Sequence, residues 1–130
     1  MAATTARATD GRLSLLPQYE QVSSALCADD LVTASAAARS LAAEAVRLHQ
    51  ATIANSAQAI AKADDLVTAR NAFKLLSREA VALARRQKGY FILHCVMADA
   101  EWVQSTRKVA NPYFGSDMPA CGTIQEETQG

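Results

Sequence analysis

Cys95, Met97, Met118 and Cys121 fall in two short motifs near the C-terminal end of the chain, Cys-x-Met and Met-x-x-Cys, with His94 beside the first. In an extended backbone alternate side chains share a face, so Cys95 and Met97 are expected side by side with His94 pointing the other way. In Met118-Pro119-Ala120-Cys121, proline stands at the second position of a four-residue turn. Such a turn brings its first and fourth Cα atoms within about 7 Å. Each motif thus presents two sulfurs together. Thiolate with thioether is the soft donor set that selects Cu(I), or Ag(I) by analogy, over zinc, calcium or magnesium. His94 is a reserve ligand where the backbone is not extended.

Plainer chemistry competes at each position. Methionine is a common gap-filler in apolar cores, which is the ordinary role for Met97 and Met118. Cys95 and Cys121 could instead form a disulfide closing a loop of about 27 residues, with a stabilisation of order 3 kcal/mol in an oxidising compartment. Cys27 reads as a buried free thiol among small residues, and Trp102, Tyr113 and Phe114 as packing rather than a binding platform. No spacing fixes a Ser/His/Asp or Cys/His catalytic assembly, so no enzyme activity is expected.

The stretch holding these motifs, residues 90–122, differs in composition from what precedes it. It contains two of the three cysteines, two of the three methionines, the single tryptophan and two of the three prolines, and most of the chain before it is alanine-rich. With 130 residues and 50% hydrophobic content, the chain suits one domain with its own core. Thirteen basic residues balance thirteen acidic ones without a block of either sign. No nucleic-acid partner is therefore expected. No apolar run of membrane-spanning length occurs, and MAATTARATDGR lacks the apolar core of a signal peptide.

The positioning elements are helical. Leu15, Tyr19, Val22 and Leu26 make an amphipathic stripe entered through Pro17, predicting a helix over about 16–28. Ala28-Asp29-Asp30-Leu31-Val32-Thr33-Ala34 then recurs letter for letter as Ala63-Asp64-Asp65-Leu66-Val67-Thr68-Ala69. Carrying the offset forward aligns Leu41 with Leu76 and Glu44-Ala45-Val46 with Glu79-Ala80-Val81.

The offset is a whole number of heptads, so both copies turn the same positions to the core. These are Leu31, Ala34, Ala38, Leu41, Ala45 and Leu48, then Leu66, Ala69, Phe73, Leu76, Ala80 and Leu83. The aspartate pairs are good N-cap and first-turn residues. Long helices are predicted over about 30–49 and 65–87, with a shorter one between them marked by Ile53, Ala57 and Ile60. Arg85-Arg86-Gln87-Lys88-Gly89 reads as a helix C-terminus.

Glu44 and Glu79 occupy matched positions, but neither begins the Glu-x-x-His pair that a di-iron bundle requires. They read as solvated or ion-paired edge residues, and His49 as a helix-ending residue. Tyr90-Phe91-Ile92-Leu93 reads as extended and buried, Asn111 onward as successive turns, and Gln125 to Gly130 as a frayed tail.

Several of these segments together resemble a known family. Asp65-Leu66, Ala69-Arg70-Asn71-Ala72-Phe73, Leu76-Ser77, His94-Cys95-Val96-Met97-Ala98, Trp102-Val103-Gln104, Asn111-Pro112-Tyr113-Phe114-Gly115 and Met118-Pro119-Ala120-Cys121-Gly122 are similar to an uncharacterised bacterial family, number 3347 among the domains of unknown function. The likeness covers about residues 17–126. One departure is Val96, where the family has proline. The resemblance implies an exported protein, periplasmic or secreted, linked to copper and silver efflux and to a periplasmic efflux-system component. It implies no known catalytic activity. Its candidate ligands fall on Cys95, Met97, Met118 and Cys121.

The expected architecture is all-α: an antiparallel four-helix bundle with a C-terminal extended, turn-rich segment packed on it. Residues 1–14 are expected as a disordered lead, 15–126 as one domain, and 127–130 as a tail. The expected function is soft-metal binding, Cu(I) or Ag(I), in an exported domain. The alternative is a structural or protein-interaction module with a Cys95–Cys121 disulfide and no metal.

Overall fold

A computed structural model describes residues 11–130. Of the expected lead, residues 1–10 lie outside the described part, and Gly11–Ser14 forms a short 3-10 turn running into the first helix. Four helices follow: α1 (Leu15–Cys27), α2 (Leu31–Arg47), α3 (Ala51–Lys62) and α4 (Leu66–Ala84). Their connections are too short for anything but reversal, so neighbours run antiparallel. Asp30 and Asp65 cap the two repeated helices, each accepting a backbone N–H from the threonine three residues on, Thr33 at 3.0 Å and Thr68 at 2.7 Å.

The repeat places its apolar positions as the heptad offset requires. Ala34, Ala38, Leu41 and Ala45 of α2 and Ala69, Phe73, Leu76 and Ala80 of α4 are buried, with α1 adding Leu15, Tyr19, Val22 and Leu26. Alanine at most of these seam positions lets backbones approach closely, and Phe73 stands where the first copy has Ala38. Glu44 pairs with Arg47 on the α2 surface, as an edge position should. No helix among the described residues is long and apolar enough to cross a membrane.

The all-α expectation is overturned by a three-stranded antiparallel sheet of order β2-β1-β3, made of β1 (Lys88–Cys95), β2 (Ala100–Gln104) and β3 (Thr123–Gln129). The extended reading of Tyr90 to Leu93 was correct, but those residues form a central strand. Leu93 pairs with Trp102 on one side and with Ile124 on the other. The polar sequence Thr123 to Gln129 is therefore a strand, not a frayed tail. It gains order by pairing to β1, and only Thr128 of its side chains is fully buried.

Helix α4 also ends earlier than expected, at Ala84. Gly89 is not a helix cap. It sits inside β1 with φ +99°, where the register against β3 slips between Lys88 and Phe91. The architecture is thus mixed, four helices and one small sheet.

Ring contacts and hydrogen bonds join the sheet to the bundle. Tyr19 stacks on Phe73 with ring centroids 5.0 Å apart, Phe73 meets Tyr113 at 5.7 Å, and Tyr113 meets the edge of Trp102 at 6.0 Å. The Tyr19 hydroxyl shares a hydrogen bond with Ser77 Oγ at 2.7 Å and accepts one from the Val103 N–H at 3.2 Å. Burial raises the Tyr19 and Tyr113 hydroxyls above the ordinary tyrosine value. Both therefore stay neutral partners in this polar chain through the core. Trp102, Tyr113 and Phe114 are packing, as expected from their type.

Candidate two-thiol site

Cys95 is the last residue of β1, and Cys121 ends the turn that feeds β3. Their Sγ atoms lie 2.8 Å apart, both as free cysteines. The Met118-Pro119-Ala120-Cys121 turn forms as the proline predicts, with the Cys121 N–H donating to the Met118 carbonyl at 3.3 Å. Asn111 holds this turn from behind. Its Nδ2 donates to the Cys121 carbonyl at 2.6 Å, and its backbone N–H donates to the Pro119 carbonyl at 2.9 Å. The same side chain's Oδ1 accepts the backbone N–H groups of Tyr113 and Phe114 at 2.7 and 2.9 Å.

The two thiols differ. Burial pushes the Cys95 thiol up. Its hydrogen bond with Cys121, the N–H of Ala98, the Asn111 side chain and the N–H of Met97 pull it down further, and it lies below the ordinary thiol value. Cys121 moves the other way, raised first by its hydrogen bond to Cys95, then by burial and by the neighbouring charge. The two thiols titrate as one pair: the contact eases loss of the first proton and opposes loss of the second, because the thiol that keeps its proton donates to the thiolate beside it. Cys27 belongs to neither motif; burial pushes its thiol up to about 11.

The expected partners of the thiols are placed differently. β1 stops at Cys95 and residues 96–99 turn back toward β2, with Asp99 at φ +49°. The alternation that would set Met97 beside Cys95 does not extend that far. Met97 is 69% exposed and borders an open groove of about 370 Å³ with Arg70, Lys74 and Phe114. Met118 is half-buried, and its carbonyl closes the turn. His94 stands one residue before Cys95 in β1, in register with Glu101 and Thr123, so its side chain projects from the opposite face. Among the described residues, no group of three or more His, Cys, Asp or Glu side chains is arranged to hold a metal ion.

A one-ion fit can be tested on the sulfur distance. Two thiolates in line across one ion stand apart by about twice a metal–sulfur bond, roughly 4.6 Å on the zinc–thiolate length. The pair at 2.8 Å must open to admit an ion. Cys121, on a turn, is the sulfur with room to move, because Cys95 is fixed in the central strand.

Sequence reasoning missed the clamp that sets the loop before Cys121. Arg70 on α4 donates from Nε to the Pro112 carbonyl at 2.8 Å, and from Nη2 to the Leu26 carbonyl and to Asp29 Oδ1, both at 2.7 Å. Asp29, read as a capping residue, instead sits in the left-handed region at φ +56° and also accepts from the hydroxyl of Ser116. Gly115, at φ +55°, passes so close that a Cβ there would meet Asp29 Oδ1 and Arg70 Nη2. The usable signal was Arg70 itself, which breaks the repeat by standing where the first copy has Ser35.

A family model described as Protein of unknown function (DUF3347) matches residues 15–89, more than half of the chain. The chain belongs to that family. The match spans the four helices and ends at Gly89, before either sulfur motif. No curated protein and no solved structure matches.

Proposed function

We propose that this DUF3347 domain binds one soft monovalent ion, Cu(I) or Ag(I), between the thiolates of Cys95 and Cys121. The observation that carries this reading is the convergence of two free thiols from separate segments, with Sγ atoms 2.8 Å apart. Two thiolates suffice for a soft ion and do not satisfy the tetrahedral requirement of zinc. The lowered Cys95 thiol supplies one thiolate readily. Met118, in the turn that ends at Cys121, is the proposed further soft donor, whereas Met97, exposed on the turn after β1, and His94, on the opposite face of the strand, would have to move to reach the ion. The resemblance of the C-terminal motifs adds an exported, periplasmic setting and a role in metal handling linked to efflux.

Anaerobic titration of the reduced full chain with Cu(I) against a competing chelator tests this. The wild type is expected to hold one equivalent, and the Cys95→Ser/Cys121→Ser variant none. Equal affinity for the two proteins would sink the proposal.

A second reading rests on the same convergence, because two thiols 2.8 Å apart can also be oxidised to a bond between them. In that reading Cys95 and Cys121 form a disulfide that staples the loop of residues 111–121 to β1, and the domain is a structural or interaction module. A free-thiol count on protein taken directly from its native compartment separates the two. One free thiol of three supports the disulfide, and three support ion binding.

A further inference from the structure

We infer that Cys95 and Cys121 form a reversible dithiol–disulfide couple that exchanges with low-molecular-weight disulfides through Cys121, with Cys95 as the inner, resolving thiol. This goes beyond ion binding: it uses the same two sulfurs as the proposed site and requires no metal.

Geometry sets the polarity. Cys95 is fully buried at the end of the central strand, whereas Cys121 is only partly covered on the turn after Pro119. Thiol–disulfide exchange proceeds by a thiolate attacking a disulfide sulfur through a mixed disulfide, and access decides which sulfur takes part. An outside sulfur reaches Cys121 and not Cys95. The second step is internal and already poised, since Cys95 Sγ stands 2.8 Å from Cys121 Sγ.

In the oxidising direction the singly deprotonated pair reacts through its accessible sulfur: the proton on Cys121 crosses the 2.8 Å contact to Cys95, and Cys121 Sγ attacks one sulfur of a small disulfide RSSR, such as glutathione disulfide. The S–S bond breaks, and RS⁻ leaves with the electron pair and is protonated. Cys95 Sγ, losing its own proton, then attacks Cys121 Sγ and expels the second RS⁻, which is protonated in turn. Two protein thiols become one disulfide and RSSR becomes two RSH, so electrons and protons balance. In the reducing direction RS⁻ attacks Cys121 Sγ and the Cys95 sulfur leaves and is protonated; a second RS⁻ then attacks the R sulfur of the mixed disulfide, releasing RSSR and the Cys121 thiolate, which is protonated in turn. The internal disulfide and a bound ion exclude one another, so the thiol redox balance would govern ion loading.

The test uses the full chain in a Cys27→Ser background, freed of metal by a chelator, in glutathione/glutathione disulfide buffer. Acid-quenched samples are read by intact mass and peptide mapping. The parent is expected to pass to the internal disulfide without a lasting glutathione adduct. Cys95→Ala should collect its adduct on Cys121, and Cys121→Ala should gain one on Cys95 at least about tenfold more slowly. Equal rates, faster reaction at Cys95, or a parent that stays a dithiol would overturn the inference. Should either variant lose its fold by circular dichroism, the transient adduct trapped in the parent decides instead: on Cys121 it supports the inference, on Cys95 it refutes it. Because no metal is present, this outcome and that of the Cu(I) titration are independent.

Discussion

The side chain of Asn111 donates to the backbone carbonyl of Cys121 at 2.6 Å while its own Oδ1 accepts two backbone N–H groups of the Asn111-to-Gly115 loop. One fully buried amide therefore sets both the loop and the outer thiol. Asn111→Ala leaves three backbone groups without their partner, a cost of about 2–4 kcal/mol at roughly 1–3 kcal/mol per buried unsatisfied group after partial relaxation. Urea unfolding of the reduced protein measures this. A change within error of zero would mean that the loop is positioned by Arg70 alone.

Gly115→Ala is expected to cost about 2–4 kcal/mol: roughly 1–2 for the left-handed backbone, the rest for pushing Asp29 and Arg70 apart. The new Cβ would stand 2.6 Å from Arg70 Nη2. The effect should shrink in an Arg70→Ala background, because the two changes disturb the same contact. A double-mutant cycle by thermal or urea unfolding reads the coupling, and simple additivity would refute this account of the clamp.

Acid should loosen the same clamp. The Asp29 carboxyl is held below the usual carboxylate range by the Ser116 hydroxyl first and by Arg70 second, and Asp30 and Asp65 are lowered by the hydrogen bonds they accept from Thr33 and Thr68 as helix caps. A lowered carboxylate contributes stability that is present above its unfolded value, about 3.9, and is lost as the pH falls through its folded value. Tm should therefore be flat near neutrality and fall below about pH 4, and Asp29→Asn should fall less steeply. Melts recorded across that range check it; parallel curves for the two proteins would exclude Asp29 as a contributor.

Cys27 should be nearly inert. With its thiol pushed up to about 11 by burial, its thiolate fraction at neutral pH is roughly two orders of magnitude below that of a free cysteine near 8.5. Iodoacetamide labelling at position 27, followed by peptide mapping, should keep rising with pH up to about 11. A plateau near the ordinary thiol value would show that the helix end opens.

The helical part was legible because its signals are local and repeated. The duplicated Ala-Asp-Asp-Leu-Val-Thr-Ala segment carries its own caps, and the heptad-preserving offset names the core positions. The sheet was only half legible. Tyr90 to Leu93 has the apolar run of a buried strand, but Thr123 to Gln129 is polar and owes its order to pairing with β1, which no local pattern announces. The site divided in the same way. The turn at Met118 to Cys121 follows from Pro119, whereas the placement of Met97 depends on where β1 stops, and that is fixed by the return of Ala100 to Gln104 alongside it. The convergence of Cys95 and Cys121 is a long-range product of the two strand registers.

The two copies of the repeated helix differ where the C-terminal segment docks. Carried across the repeat, Arg70, Phe73 and Ser77 stand where the first copy has Ser35, Ala38 and Ala42. These three are the α4 residues that grip Pro112, place a ring between Tyr19 and Tyr113, and bond both tyrosine hydroxyls. Two helices of near-equivalent sequence thereby offer a single berth. The tandem symmetry is broken at the positions that receive the C-terminal segment, so a sheet carrying its own thiol pair finds one seat on the bundle and has no competing seat on α2.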